Sequence, residues 1–192
     1  MRIPPLRPRD CPWYLKPFFW NQRRKYGRPL DAALLWARRP RLFLAVAALF
    51  GALDRRRSPI EPALRALLTV RVSQINHCPF CIDINAALAA RRGVTEAKLE
   101  ALSRWRESDL FTPRERAALA YAEAMTDSRL GVEDALFEEL RRHFDADALV
   151  ELTALIAFQN LSSKFNAALG VPPQGFCRLE LAPRQETALT DR

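Results

Sequence analysis

Long apolar stretches are missing from this sequence of 192 residues. The longest, residues 42–53, contains Gly51 and is shorter than the roughly 18 apolar residues that a membrane-spanning helix needs. The first 30 residues alternate basic residues with prolines and lack the continuous apolar segment of a secretory signal peptide. We therefore expect a soluble, cytoplasmic protein.

Histidine and glycine are also scarce, with two histidines and six glycines. The G-x-G-x-x-G, P-loop, H-E-x-x-H and G-x-S-x-G motifs are absent, so nothing supports a nucleotide-binding protein, a zinc peptidase or an α/β-hydrolase. A zinc site typically needs four ligands, yet the sequence has a single C-x-x-C motif besides His77 and His143. We expect neither a metal nor a nucleotide cofactor.

The charge is unevenly distributed along the chain. Residues 1–60 hold 14 Lys and Arg against three Asp, whereas the remainder is slightly acidic. A basic leader rich in aromatic residues can bind an anionic membrane surface or nucleic acid. We favour instead a helical leader whose aromatic residues pack on the core or on another subunit. We therefore expect no nucleic-acid partner, and membrane-surface contact by residues 1–29 is not favoured.

Apolar residues recur with the helical period and no segment alternates like a strand, which predicts an all-α protein. Capping signals predict helix starts at Ser58–Glu61, at Thr95 and at Thr112–Glu115. The predicted helices cover residues 17–27, 31–39, 40–57, 58–76, 79–92, 95–107, 112–125, 132–144 and 147–169.

Cys78 and Cys81 are the residues with the clearest chemical potential. Their spacing puts both thiols on one helical face, and Pro79 suits a first helical position, so Cys78 is predicted to be the N-cap. Free amides and the positive end of the helix dipole favour an anion there, so we expect a lowered pKa for at least one thiol. The pair lies between helices, which disfavours a thioredoxin fold. The alternative is that both are small buried residues.

Polar residues near the pair are candidates for supporting roles. Asn85 lies one turn after Cys81, and His77 and Asp83 are the nearest titratable groups. The last helix carries a polar cluster that could line a pocket or join subunits, and periodicity does not choose between the two. Its members are Gln159, Asn160, Ser162, Ser163 and Asn166.

Three segments together resemble the carboxymuconolactone decarboxylase and alkylhydroperoxidase D-like (AhpD-like) superfamily. They are Leu68-Thr-Val-Arg-Val-Ser-Gln-Ile-Asn-His-Cys-Pro-Phe-Cys81, the capping-box helix of residues 111–126, and residues 165–171. The resemblance covers roughly residues 58–171. It implies an AhpD-like helical bundle that forms a homo-oligomer, with residues 1–57 as an N-terminal helical extension. Residues 172–192 are predicted to form a C-terminal tail, of which residues 174–192 are expected to be loosely held.

The resemblance also implies roles for the cysteines. Peroxidase members use the second cysteine to attack the peroxide and the first to resolve it as a disulfide, so Cys81 is expected to be peroxidatic and Cys78 resolving. The family's proton-relay Glu and His are replaced here by Ala66 and Asn85. An asparagine cannot carry a proton at neutral pH, but it can orient Cys81 or its substrate. We therefore favour thiol-disulfide exchange over efficient peroxide reduction.

The predicted function is that of a thiol-disulfide oxidoreductase or peroxidase-like protein. Its partners would be a peroxide or disulfide substrate and a thiol reductant. Two alternatives stay open at this point. One is a non-redox lyase or small-molecule-binding member of the same superfamily, a branch that does not rely on the cysteine pair. The other is a non-catalytic helical interaction module with a basic leader.

Overall fold

The structure is a computed structural model, and it describes residues 1–177 and 179. Within that part every regular element is helical, which confirms the all-α prediction. The α-helices are α1 (Lys16–Tyr26), α2 (Asp31–Trp36), α3 (Pro40–Leu53), α4 (Pro62–Ile75), α5 (Pro79–Arg91), α6 (Glu96–Ala101), α7 (Pro113–Thr126), α8 (Asp134–Arg141) and α9 (Ala146–Ala168). Short 3-10 helices cover Pro8–Asp10, Trp13–Leu15 and Leu102–Glu107.

Several helix starts follow the predicted local signals. Thr112 and Glu115 form both hydrogen bonds of a capping box at α7, and Thr95 accepts a hydrogen bond from the amide of Lys98 at α6. Cys78 is the N-cap of α5, with Pro79 in the first helical turn. These three predictions are confirmed.

The predicted start of α4 at Ser58 is wrong by four residues. The hydroxyl of Ser58 accepts a hydrogen bond from the amide of Ile60, which forms a local turn, and α4 begins at Pro62. Glu61 is extended, with ψ of 141°. A residue before proline is disfavoured in the helical region, so the second proline of this segment determines where the helix begins.

Other predicted helices are too long. The helix predicted over residues 31–39 ends at Trp36, and Arg39 before Pro40 is non-helical, with ψ of 86°. The helix predicted over residues 95–107 continues beyond Ala101 as a 3-10 helix with a kink at Arg104. The one predicted over residues 132–144 is confined to α8.

Helix α4 lies at the centre of the main core and packs against α5, α7 and α9. Its residues Leu67, Leu68 and Val70 are almost fully buried. Ala66, which occupies the position of the peroxidase glutamate, is also buried among apolar residues. A small side chain at this position is therefore part of the core packing.

The leader packs onto the rest of the chain. Trp36 stacks on Phe165 of α9 with ring centroids 3.6 Å apart, whereas Phe19 and Phe43 lie in an apolar cluster formed within the leader itself. Trp13 and Trp20 stay on the surface, with 79% and 65% of their area exposed. Within this chain, Trp36 meets the expectation that aromatic residues of the leader pack on the core, and Trp13 and Trp20 do not. Packing of these two tryptophans on another subunit stays a prediction.

The described residues include no helix with the length and hydropathy needed to cross a bilayer. The tail predicted over residues 172–192 lies largely outside the described residues. Its first part, residues 174–177, is held by hydrogen bonds to α5, which are described with the site below.

Candidate active site

Cys78 and Cys81 are joined by a disulfide bond at the N-terminus of α5, with their Cα atoms 5.3 Å apart. Cys78 has an extended N-cap conformation, and its sulfur accepts a hydrogen bond from the amide of Cys81 at 3.2 Å. Cys78 has no exposed area, and Cys81 is 2% exposed. The first helical turn thus holds the two sulfurs together, as the C-x-x-C spacing predicts.

A cavity of about 300 Å³ lies beside the pair, and we call it the Cys81 cavity. Of the two cysteines, Cys81 lines it and Cys78 does not. Asn21 and Lys25 are exposed residues of its wall, so the cavity reaches solvent. The pair is therefore buried without being sealed from small molecules.

The wall of the Cys81 cavity is mostly apolar and comes largely from the leader. The aromatic side chains from residues 1–57 that line it are Phe18, Tyr26, Trp36, Phe43 and Phe50. Among the described lining residues Lys25 is the one charged side chain. The polar lining side chains that come from α5 and α9 are Asn85, Gln159, Ser162 and Asn166. The wall is thus mostly apolar and aromatic, and it includes neutral amide and hydroxyl groups from α5 and α9.

Asn166 is the side chain that contacts the sulfur of Cys81. Its Nδ2 donates to Cys81 Sγ at 3.4 Å, and the residue is 1% exposed. Its Oδ1 is buried and has no hydrogen-bond partner among the described residues. Sequence reasoning placed Asn166 in the polar cluster of the last helix but did not connect it with Cys81.

The side chain of Asn85 is hydrogen-bonded to Ser73 and not to Cys81, the residue that it was expected to orient. Its Nδ2 donates to the hydroxyl of Ser73 at 3.2 Å, and Gln159 Nε2 donates to the same hydroxyl at 2.9 Å. Ser73 in turn donates to the carbonyl of Thr69. Asn85 therefore lines the cavity beside Cys81 as part of a polar network.

The polar cluster of α9 has two separate roles. Gln159, Ser162 and Asn166 line the Cys81 cavity. Asn160 and Ser163 instead accept hydrogen bonds from Asn76 Nδ2, each at 2.8 Å, and so connect α9 with the end of α4. Pocket lining is therefore confirmed for three members of the cluster, and a contact across a subunit interface stays a prediction.

His77 makes the turn between α4 and α5. Its φ of 49° lies in the left-handed region, which non-glycine residues adopt infrequently. Its side chain is exposed and lies outside the wall of the Cys81 cavity. His77 is therefore adjacent to Cys78 in sequence, but its side chain does not line the cavity through which a substrate would reach Cys81.

Asp83 is buried and binds the start of the C-terminal segment. Its carboxylate accepts hydrogen bonds from the amides of Gln174, Gly175 and Cys177 at 2.7, 2.9 and 2.7 Å. These are the contacts of a structural anchor. A role of Asp83 in proton transfer, for which it is a candidate as one of the titratable groups nearest to the pair, stays a prediction. The contacts also show that residues 174–177 are held firmly, which corrects the expectation of a loose tail for this part.

Glu123 is a buried carboxylate outside the cavity wall. It accepts hydrogen bonds from Trp105 at 2.9 Å and from Arg71 at 2.7 Å, and it pairs with Arg106. Burial alone would raise its pKa, but the donors and the positive charges outweigh burial and hold the pKa of Glu123 below its ordinary value. It therefore stays ionised at neutral pH and links the Trp105 segment to α4.

The described residues include no cluster of three or more His, Cys, Asp or Glu that could hold a metal ion.

Comparison with known proteins gives a consistent assignment. The model of the carboxymuconolactone decarboxylase family matches residues 40–124, which include both cysteines. The uncharacterized protein YnjA of Escherichia coli K12 is 45% identical over 93% of this chain and 97% of its own length.

Two solved structures share the fold over almost the whole chain. The debrominase Bmp8 superposes with a TM-score of 0.79 at 28% identity, covering 91% of this chain and 92% of its own. A Cys-to-Ala variant of Bmp8 was solved in complex with 2,3,4-tribromopyrrole. An uncharacterized peroxidase-related protein of Ralstonia eutropha JMP134, with an alkylhydroperoxidase AhpD core, has a TM-score of 0.78 at 25% identity, covering 91% and 93%.

The neighbours named above point to peroxidase-like or debrominase-type enzymatic activity. The family match, the long alignment with YnjA and the shared all-α fold agree with the resemblance carried by the residues around the cysteines. This chain belongs to the carboxymuconolactone decarboxylase family, within the AhpD-like superfamily.

Proposed function

We propose that the protein is a cysteine-dependent oxidoreductase that reduces a small organic molecule while Cys78 and Cys81 cycle between dithiol and disulfide. One observation carries this proposal. Cys81 is bonded to Cys78 and also lines an apolar cavity that reaches solvent, whereas Cys78 lies behind it with no exposed area. This asymmetry supports Cys81 as the attacking thiolate and Cys78 as the resolving thiol.

With a hydroperoxide, the cycle balances in two steps. The Cys81 thiolate attacks the terminal oxygen, so an S–O bond forms, the O–O bond breaks, and the alcohol leaves with a proton from water. Cys78 then attacks Cys81 Sγ, so the S–S bond forms and the S–O bond breaks. Water leaves with the Cys78 proton, and an external thiol reductant restores the dithiol.

A small disulfide needs less proton transfer. Cys81 forms a mixed disulfide and releases one thiolate, and Cys78 then attacks Cys81 Sγ and releases the second. This agrees with the replacement of the family's relay residues by Ala66 and Asn85. Among the described residues no carboxylate or imidazole is hydrogen-bonded to either sulfur, so an alkoxide leaving group would rely on water. A cavity of about 300 Å³ admits a small disulfide but not a folded protein.

Reductive debromination is a second candidate, and the aromatic wall of the Cys81 cavity favours it. The superposition with the debrominase Bmp8 supports the same chemistry. The Cys81 thiolate would attack bromine, forming an S–Br bond while the C–Br bond breaks and the carbon takes a proton from water. Cys78 would then attack Cys81 Sγ, forming the disulfide and releasing bromide.

A single-turnover assay tests the proposal. Reduced protein is mixed in separate reactions with cumene hydroperoxide, a small disulfide and a bromophenol, and thiol loss and product are counted together. We expect two thiols lost for each molecule of the active substrate class. Cys81→Ser should abolish product formation, whereas Cys177→Ser removes a free cysteine outside the pair and should leave it unchanged. Product formation by Cys81→Ser at the wild-type rate would exclude a cysteine-dependent cycle, and a non-redox lyase would then remain.

We also propose that the protein forms a homo-oligomer through α3. Leu42 and Leu49 lie two helical turns apart on one face of this helix and are 53% and 44% exposed. Exposed apolar side chains on one face favour burial against a second copy of the chain. Light scattering after size exclusion should give a mass above that of one chain, and Leu42→Glu should lower that mass. A single-chain mass for the wild type would contradict the proposal.

A further inference from the structure

We infer that the molecule reduced at Cys81 carries a carboxylate, away from its reacting atom, that Lys25 and Gln22 bind where the Cys81 cavity meets solvent. The inference rests on the proposed function and narrows its substrates to small organic acids. It leaves the reacting group open, whether disulfide, hydroperoxide or bromoarene. Its basis is a short polar strip on α1, in a wall that the leader otherwise builds from apolar and aromatic residues.

The polar strip consists of Asn21, Gln22 and Lys25, and all three residues line the Cys81 cavity. Asn21 and Lys25 are one helical turn apart, and Gln22 is three residues before Lys25, so their side chains are neighbours on the helix. Each side chain carries N–H donors, and the Lys25 ammonium adds a full positive charge. The strip therefore offers donors to a molecule that lies in the cavity.

The positive charge of Lys25 is not neutralised by the part of the protein that the structure describes. Lys25 forms no ion pair with a described residue, and no acidic side chain is found among the described residues of the wall. Its Nζ lies 5.1 Å from the ring centroid of Tyr26, another residue of the wall. Because an apolar wall excludes water, the attraction between an ammonium and an anion beside it is stronger than in bulk solvent.

Gln22 supplies a second donor whose direction is fixed by the fold. The residue is 7% exposed, and its Oε1 accepts a hydrogen bond from the amide of Leu30 at 3.0 Å. Its Nε2 has no hydrogen-bond partner among the described residues, but it is not one of their fully buried unpaired atoms, so it keeps accessible surface. A carboxylate has two oxygens and can accept from this amide and from the ammonium together.

The helix dipole alone does not explain the position of Lys25. Basic residues are favoured in the last turn of a helix, and α1 has Arg23, Arg24 and Lys25 there. Of these three residues, Lys25 lines the cavity and the two arginines do not. The guanidinium of Arg24 lies over Trp20, which is outside the wall. Arg24 thus matches Lys25 in charge and in helical turn, and it is the natural control.

Binding to the disulfide form tests the inference without any turnover. Phenylpropionate and phenylpropionamide have nearly the same shape, and only the first is negatively charged at neutral pH. By calorimetry with oxidised protein at low salt, we expect phenylpropionate to bind about fivefold more tightly, as for one partly exposed ion pair. Lys25→Gln should abolish this preference, Lys25→Arg should keep most of it, and Arg24→Gln should leave it unchanged.

Turnover gives an independent measurement. The small disulfides dithiodipropionate and dithiodipropionamide differ in charge and share the reacting group. Lys25→Gln should raise the KM for the dicarboxylate about fivefold, because it removes binding of a group remote from the sulfurs, and should leave kcat unchanged. The KM for the diamide should stay at its wild-type value.

The outcomes separate this inference from the proposed function. Equal affinities for the two phenylpropionyl ligands in the wild type, no binding of phenylpropionate at millimolar concentration, or an equal loss of preference in Lys25→Gln and Arg24→Gln would overturn the inference. A carboxylate preference without any thiol oxidation in the single-turnover assay would support the binding site and contradict the oxidoreductase. Turnover at Cys81 without a carboxylate preference would do the reverse.

Discussion

Asn166 donates a hydrogen bond to the sulfur of Cys81 across 3.4 Å, although the two residues are 85 positions apart in the chain. The contact joins the last turns of α9 to the first turn of α5, and both residues line the same cavity. Two groups that stabilise a negative charge therefore lie next to the sulfur of Cys81 once the disulfide is reduced. One is the N-terminus of α5, and the other is the Asn166 amide.

Removing the Asn166 amide should make Cys81 less reactive in the reduced protein. A hydrogen bond to a charged group favours the ionised form, so Asn166→Leu should move the pH profile of Cys81 alkylation by iodoacetamide upward by about one pH unit. Peptide mass spectrometry separates Cys81 from the other thiols. Lys164→Leu is the control and should keep the wild-type profile. An unchanged profile in Asn166→Leu would show that the contact does not stabilise the thiolate.

Trp36 should contribute to substrate binding through the cavity wall. It stacks on Phe165 and lines the Cys81 cavity, so Trp36→Leu removes apolar contact area from any bulky substrate. We expect the KM for cumene hydroperoxide to rise about tenfold, and the rate with hydrogen peroxide to change little, since that molecule is too small to use the wall. The matched control is Trp13→Leu, because Trp13 belongs to the same leader but is 79% exposed. Equal effects of the two variants would contradict a role for the leader in the site.

Asp83 should act as an anchor for residues 174–177. The neutral amide of Asp83→Asn has a single acceptor oxygen for the three backbone donors, so we expect the free energy of unfolding to fall by about 2 kcal/mol. Hydrogen exchange at the amides of Gln174, Gly175 and Cys177 should become faster. The exposed Asp147→Asn substitution serves as the control. If exchange is unaffected but single-turnover chemistry is lost, Asp83 acts in proton transfer instead.

Glu123 should make stability depend on pH. Its pKa in the folded protein lies below the ordinary value of 4.5. The stabilisation is therefore fully present above pH 4.5 and is lost as the pH falls through the lower folded pKa. Glu123→Gln should lower the free energy of unfolding by about 2 kcal/mol at pH 7 and by progressively less as the pH falls below 4.5. Urea unfolding at several pH values measures this difference.

The exposed Glu100→Gln variant is the control for that series. It should stay close to the wild type at every pH. A Glu123→Gln deficit of the same size at acidic and neutral pH would mean that the loss comes from packing and not from the carboxylate charge.

The centre of the site could be predicted from sequence because its determinants are local. Pro79 starts α5, and the C-x-x-C spacing then places Cys78 at the N-cap with Cys81 on the same face. The capping box at Thr112 is equally local, and it is confirmed for the same reason. The resemblance to the AhpD-like superfamily rests partly on the same segments, so the fold class could also be predicted from the sequence.

The surroundings of Cys81 depend on contacts between distant segments, which periodicity does not encode. Helical spacing showed that Asn166 is a polar residue on an apolar helix, but not which residue it faces. The partners of Asp83 lie more than 90 positions away, and those donors are backbone amides that any sequence would supply. The aromatic residues of the leader indicated only that it packs against other parts of the protein. Their position in the wall of the Cys81 cavity could be seen only in the tertiary fold.

The most direct test of the account uses the reduced Cys78→Ser protein with cumene hydroperoxide and, in a separate reaction, with a small disulfide. The attacking and the resolving sulfur are then separated, and the first intermediate has no route to the disulfide. We expect one adduct per chain, located on Cys81 by peptide mapping. It would be a dimedone-trapped sulfenic acid with a hydroperoxide or a mixed disulfide with a small disulfide. The assignment of the two cysteines would be contradicted if the Cys78→Ser protein formed no adduct on Cys81 while the Cys81→Ser protein formed one on Cys78.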